Sequence, residues 1–302
     1  MKNKIFHQKY SAERTIKIKT LNILPKRKLE LKIDRNYIRI KYLGRKRGGS
    51  DSNAVLLPKT IQFSAKFTRA LGIYYAEGNK SKTRRYSSFS NTEPKVVQEG
   101  ISLFEMLGIK RQDLKAHVKI YNQEISDESL INYWSGISGI PKNNFIKISK
   151  AISKKDYERK RKKPPKYGEV EVYYSSVVIR DVIDRLLEIT KKISLENSFI
   201  RKEFLKGLIA GEGSVKLVND KLRELRIASC NKQEQKFIRK LLIKEEIKPS
   251  DAEYEFFIAI SGFDNFRKVS ENKIFHLHPV KKEAFDLGYT KCLCSQGFKR
   301  TS

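Results

Sequence analysis

Two glutamates sit where a helix disfavours them. Glu77 closes the stretch Ala70-Leu71-Gly72-Ile73-Tyr74-Tyr75-Ala76-Glu77-Gly78, and Glu212 closes Leu205-Lys206-Gly207-Leu208-Ile209-Ala210-Gly211-Glu212-Gly213. Each is a short apolar run ending in Glu-Gly. Read as helices, both place a carboxylate in the last turn, against the negative end of the macrodipole, at a cost of about 0.3–1 kcal/mol. The chain does this twice, each time before a glycine suited to end a helix. Two carboxylates brought together repel unless a proton or cation lies between them. A divalent metal would be that cation.

The elements that must position them follow from the same letters. Gly72 and Ala76 are four apart and share a helix face, as do Gly207 and Gly211. Small residues at that spacing let two helix backbones approach closely, so these four residues are the expected helix interface. If the helices pack side by side, Glu77 and Glu212 emerge together at one end. Neither run approaches the ~20 apolar residues that a bilayer span needs. Ser64 is placed to cap the first helix, and Asn197 or Ser198 the second. After each motif the pattern turns strand-like and then helical. In the first half, Pro94 opens a helix that Gly108 stops, and 115–121 alternates as a strand. Residues 126–138 read as a helix, 168–176 as a strand and 177–193 as an amphipathic helix. The second half repeats the order more compactly, with strands at 215–219, 222–229 and 254–260. Helices follow at 231–244, 263–269 and 281–287. That recurrence is an internal pseudo-two-fold.

The repeated stretch resembles the LAGLIDADG motif of homing endonucleases, in the single-chain form with two motifs. The resemblance spans roughly residues 55 to 290. It implies an α+β fold: a pseudo-two-fold pair of αββαββα repeats whose two antiparallel sheets form a DNA-binding saddle, plus a small N-terminal extension. The corresponding division is 1–60 for the extension, 61–194 for the first repeat and 195–302 for the second. The implied activity is metal-dependent hydrolysis of both strands of a specific DNA site. Glu77 and Glu212 would hold Mg²⁺ or Mn²⁺, joined by the backbone carbonyls of Ala76 and Gly211. Lys80 is the candidate peripheral base, and the matching position in the second half is Val215, so the two sites differ. Lys80, Lys82, Arg84, Lys115, Lys119, Lys216, Arg223 and Arg226 are the candidate groove-facing cations. Glu169, Glu171, Glu253 and Glu255 would present acid there, to read cytosine N4 or to lie off the groove. Some members carry a polar and then a basic residue after the second strand. Here those places hold Asn91-Thr92 and Ser229-Cys230, with Asn91 and Ser229 left to position water. Two rival uses of the fold stay open: an RNA-binding intron maturase and a non-catalytic DNA-binding regulator.

Composition agrees with a polyanion partner. Sixty-four Lys and Arg against 34 Asp and Glu give a formal charge of +30, which points to nucleic acid ahead of an anionic membrane surface. Three cysteines without a signal-like leader argue for a reducing compartment, cytoplasmic or organellar, and against a disulfide scaffold, and a monomer is expected. Cys292 and Cys294, with His276 and His278, are a weak match to any zinc pattern. In the extension, Ile16 and Ile18, then Leu29, Leu31 and Ile33, then Ile38 and Ile40, alternate as short strands. Arg45-Lys46-Arg47-Gly48-Gly49-Ser50 reads as a basic loop, and 142–166, the most basic stretch, as a long loop or inserted hairpin.

Overall fold

Period-two alternation in the first sixty-three residues accompanies five short strands. The computed structural model describes residues 16–24, 28–44, 50–79, 85–120, 125–150 and 165–295. Within them, β1 (Ile16–Lys19) pairs antiparallel with β5 (Thr60–Phe63), and β2 (Leu29–Ile33), β3 (Tyr37–Tyr42) and β4 (Val55–Pro58) form a second antiparallel sheet. Their inward residues, Ile38, Ile40, Leu57, Ile61 and Phe63, are fully buried and join the core of the first repeat.

That repeat opens with α1 (Ala65–Glu77), capped by Ser64, whose hydroxyl accepts from the Phe67 amide. It continues through β6 (Ser87–Asn91), α2 (Pro94–Met106), β7 (Lys115–Ile120), α3 (Asp127–Ser138), β8 (Phe145–Lys150), β9 (Glu169–Tyr174) and α4 (Val177–Glu196). The sheet order is β6-β9-β7-β8. The second repeat runs α5 (Ser198–Glu212), β10 (Gly213–Val218), β11 (Lys221–Ala228), α6 (Lys232–Lys244), β12 (Phe257–Ile260), α7 (Phe263–Glu271) and α8 (Pro279–Ser295). Its sheet is antiparallel, in the order β10-β11-β12. Asn219 and Asp220, both at positive φ, make the two-residue turn that joins β10 to β11. The chain is thus an α+β fold with eight described helices.

Three expectations change. Residues 145–150 of the basic stretch form β8, which lies parallel to β7 after the α3 crossover, where a loop or hairpin is expected. Lys147 and Lys150 interrupt its alternation, and Phe145 is its one buried residue, so the strand signal is faint. Trp134 pins this insertion: it is fully buried and its indole donates to the Tyr167 carbonyl at 2.8 Å. Residues 151–164 lie outside the described set. In the second repeat only Phe257–Ile260 is strand, because Tyr254 leaves the ladder and stacks on Phe257 at 4.4 Å. The last helix runs on to Ser295. On it Cys292 and Cys294, two apart, do not face each other. Cys292 Sγ lies 3.6 Å from the Leu222 carbonyl, and no three metal-ligating side chains cluster among the described residues.

Candidate active site

The motif helices α1 and α5 meet backbone to backbone. A Cβ on Gly72 would lie 2.3 Å from the Phe204 carbonyl oxygen, and one on Gly207 2.0 Å from that of Arg69. The helices also exchange core residues. Tyr75 and Ala76 of α1 pack into the second repeat's core, while Ile200 and Ala210 of α5 pack into the first. The seam is stitched polarly too: Arg69 donates to Glu99 on α2 at 2.5 Å and to Glu203 on α5 at 2.6 Å. Nearby, the buried Arg201 guanidinium donates to Glu245 at 2.5 Å.

Both glycines after the acids hold extended, negative-φ backbone, Gly78 at φ −74°, ψ 150° and Gly213 at φ −75°, ψ 149°. They are not left-handed caps. Each amide returns to its helix, to Tyr74 and Ile209, so closely that a Cβ would lie 2.2 Å and 2.5 Å from those carbonyl oxygens. The glycines are needed for space, not for φ. Each then starts a strand contact, Gly78 opposite Phe89 and Gly213 opposite Ile227. That shared register makes Asn91 and Ser229 equivalent positions.

This geometry sets Glu77 against the second motif helix. Gly211, the residue before Glu212, lies under the Glu77 side chain: a Cβ there would be 2.6 Å from Ala76 Cβ and 3.2 Å from Glu77 Oε1. The four predicted interface residues thus form one contact. The surroundings of the acids differ between halves. Asn91 Nδ2 donates to Glu77 Oε1 at 3.2 Å, and Asn91 Oδ1 accepts from the Glu93 amide. Ser229 instead lies 3.5 Å from Glu234 Oε2. Beside Glu212 opens a cavity of about 340 Å³ lined also by Tyr75, Ala76, Cys230, Asn231 and Glu234. Burial, then the Glu234 carboxylate, pushes the Tyr75 phenol well above its usual range. Burial likewise pushes Tyr74 up to about 12. Lys191 of α4 sits 4.6 Å over the Tyr75 ring.

Sequence reading missed Lys281. Its ammonium donates to the carbonyls of Ala210 and Gly211 at 2.6 Å each and lies 3.2 Å from that of Ile209. The available signal was charge order, since Lys281 and Lys282 occupy the first turn of α8, where a helix prefers acid. As to metal, the donor set is carboxylate, carboxamide and carbonyl oxygen, the chemistry that Mg²⁺ and Mn²⁺ accept. Glu77, with the Ala76 carbonyl beside it in the chain, offers oxygens of that kind. The Gly211 carbonyl, expected to be a ligand, is held by Lys281 here.

The candidate groove cations divide. Lys80, Lys82 and Arg84 lie outside the described residues. On the outer face of the first sheet, Lys115 is exposed opposite Tyr173, His117 faces Glu171, and Lys119 stands 3.9 Å from Glu169. The acids of β9 are thus matched by cross-strand partners. On the second sheet Lys216 is exposed opposite Glu224. Arg226 pairs with Glu224 and lies 4.5 Å over the Phe257 ring. Arg223 is exposed at a separate cavity beside Ser261 and Gly262. Glu253 and Glu255 lie before β12, off the ladder. Among the described residues no helix is long and apolar enough to cross a membrane.

No family model and no curated protein matches the chain. Solved structures do. The homing endonuclease I-DmoI in complex with DNA and Ca aligns at TM-score 0.41 and 16% identity, over 74% of this chain and 96% of that one. The N-terminal LAGLIDADG domain of DUF199/WhiA aligns at TM-score 0.40 and 12% identity, over 69% and 81%. Full-length DUF199/WhiA from Thermatoga maritima aligns at TM-score 0.42 and 12% identity, over 71% of this chain and 59% of that one. The structural neighbours of this α+β chain therefore include a LAGLIDADG homing endonuclease and the LAGLIDADG domain of WhiA.

Proposed function

We propose that this chain is a sequence-specific DNA endonuclease that hydrolyses phosphodiesters with a divalent metal, Mg²⁺ or Mn²⁺. The observation that carries the reading is the seam: two packed motif helices bring Glu77 against the residue preceding Glu212. A chain of formal charge +30 supplies the field for double-stranded DNA. Glu77 with the Ala76 carbonyl would hold the metal, which when bound would stabilise charge on the phosphate oxygens, and Glu212 would supply the matching carboxylate of the second half. Asn91 fixes the Glu77 carboxylate by donating to Oε1. The exposed cations Lys115, Lys216 and Arg223 would bind phosphate or base edges. Lys80 remains the proposed peripheral base, with Lys82 and Arg84 beside it in sequence.

A second reading, a DNA-binding regulator without cleavage, is favoured by Thr92 and Cys230, which stand where some members carry a basic residue. An RNA-binding maturase is the third use of the same cationic surface. The test is Mg²⁺-dependent cleavage of a randomised duplex library beside Glu77→Gln and Glu212→Gln. Discrete double-strand cuts that require the metal and vanish in both variants support the endonuclease. Salt-sensitive duplex binding with no cut under Mg²⁺ or Mn²⁺ supports the regulator, and preference for structured RNA the maturase.

A further inference from the structure

Resting on the endonuclease reading, we infer that Lys281 is a built-in cation of the second half-site, which leaves the motif glutamates one tightly held divalent ion, on the Glu77 side. Three features carry this. First, the three ammonium hydrogens match three carbonyl acceptors, Ile209, Ala210 and Gly211, in the last turn of the helix that ends in Glu212. The lysine thus places a full positive charge where the α5 macrodipole and Glu212 are both negative. Second, the oxygen it occupies belongs to Gly211, a carbonyl that the resemblance makes a metal ligand. An ammonium and a divalent ion on one carbonyl repel each other.

Third, Lys281 is held by a rigid element. Phe285 of α8 is buried against Phe275. Gly288 lies so close to the β10–β11 pair that a Cβ would be 2.5 Å from Leu217 Cδ2 and 3.1 Å from the Leu222 amide. His278 caps the helix, its Nδ1 lying 3.4 Å from the Lys281 amide. In the first repeat the helix after the last strand is α4, and in the second it is α7. Among the described residues α8 has no counterpart in the first half.

The test counts bound Mn²⁺ by electron paramagnetic resonance on the full chain, with and without a mixed-sequence duplex. The wild type should hold one tight ion per chain. Glu77→Gln should abolish it, and Glu212→Gln should leave it in place. Lys281→Met should admit a second ion, bound roughly tenfold tighter or more than any second ion in the wild type, a change of about 1.4 kcal/mol. If Lys281→Met does not fold, Lys281→Gln keeps a donor without the charge and should give the same gain. Two ions of equal affinity in the wild type, or a tight ion lost with Glu212→Gln alone, overturn the inference and leave the endonuclease reading intact. No bound ion with or without DNA removes both.

Discussion

Replacing Gly207 with alanine tests the central geometry. The new Cβ would sit 2.0 Å from the Arg69 carbonyl oxygen, 2.8 Å from its carbon and 2.9 Å from the Ile73 nitrogen, all backbone atoms of the facing helix. None is the end of a flexible side chain that could swing aside. Real Cβ atoms essentially never approach below 3.0 Å, so α1 and α5 must part by about 1 Å. Overpacking of this kind costs about 1–3 kcal/mol. The rigid obstacle puts this site at the upper end, and the better helix propensity of alanine returns about 1 kcal/mol. The expected net loss is about 2 kcal/mol, a fall in melting temperature of roughly 4–8 °C at ~2–4 °C per kcal/mol. Cleavage should suffer more than stability, because a ~1 Å misplacement of reacting groups can cost about 10²-fold, and the seam sets the spacing of the two acids. Gly136→Ala is the control. It lies on α3 with nothing within 4 Å of its added Cβ, so it should gain about 0.4–1 kcal/mol. Thermal unfolding with library cleavage on the same samples reads both. A Gly207→Ala protein that melts at or above the wild type and cuts normally would refute the close-packed seam.

Breaking the buried Arg201–Glu245 pair, with side chains 8% and 5% exposed, by Arg201→Met should cost about 3–5 kcal/mol. Adding Glu245→Leu should recover much of it, as chemical denaturation would show. Burial holds the His117 imidazole below its ordinary value, outweighing the nearby Glu171 carboxylate. The unfolded chain therefore takes up that proton first. Stability should fall as pH drops through the unfolded value of about 6.5, then level off below the folded one, and melting curves of His117→Gln should lack this component. Duplex binding should weaken steeply with salt, and Lys216→Ala should lower the magnitude of the log–log slope by about 1. A flat salt response would contradict groove binding.

Backbone requirements were written plainly in the sequence, and partner choices were not. Gly72, Ala76, Gly207 and Gly211 announced a close helix pair because small residues at helical spacing have few other uses. Ser64 and the Asn197-Ser198 pair announced caps because such side chains satisfy local amides, and Asn197 is the one of that pair that does so. Strand β8 was hidden because the edge position of a parallel pair leaves Lys147 and Lys150 acceptable there. The register that equates Asn91 with Ser229 could be aligned from the letters, but not the turn of Asn91 toward Glu77 and of Ser229 toward Glu234. Lys281 lies 69 residues after Glu212 in the chain, and only the packing of α8 on the second sheet brings it to the motif helix.

The two halves agree where backbone meets backbone and differ where side chains meet ligand. The glycines after the acids share φ and ψ to within a degree, because each return to its helix leaves no room for a Cβ. No comparable constraint acts on the groups around the acids, so the halves can diverge there without disturbing the seam. The differences come largely from elements outside the repeated pattern. Strands β1 to β5 enlarge only the first core, α3 and β8 widen only the first sheet, and α8 delivers Lys281 only to α5. A duplicated frame with one cationic half-site predicts unequal chemistry on the two DNA strands. The strand served from Glu77 should be cut first, and a nicked duplex should accumulate before the double-strand break. In Lys281→Met the interval between the two cuts should change while duplex affinity does not, which separates an effect on the half-site from a general loss of positive charge.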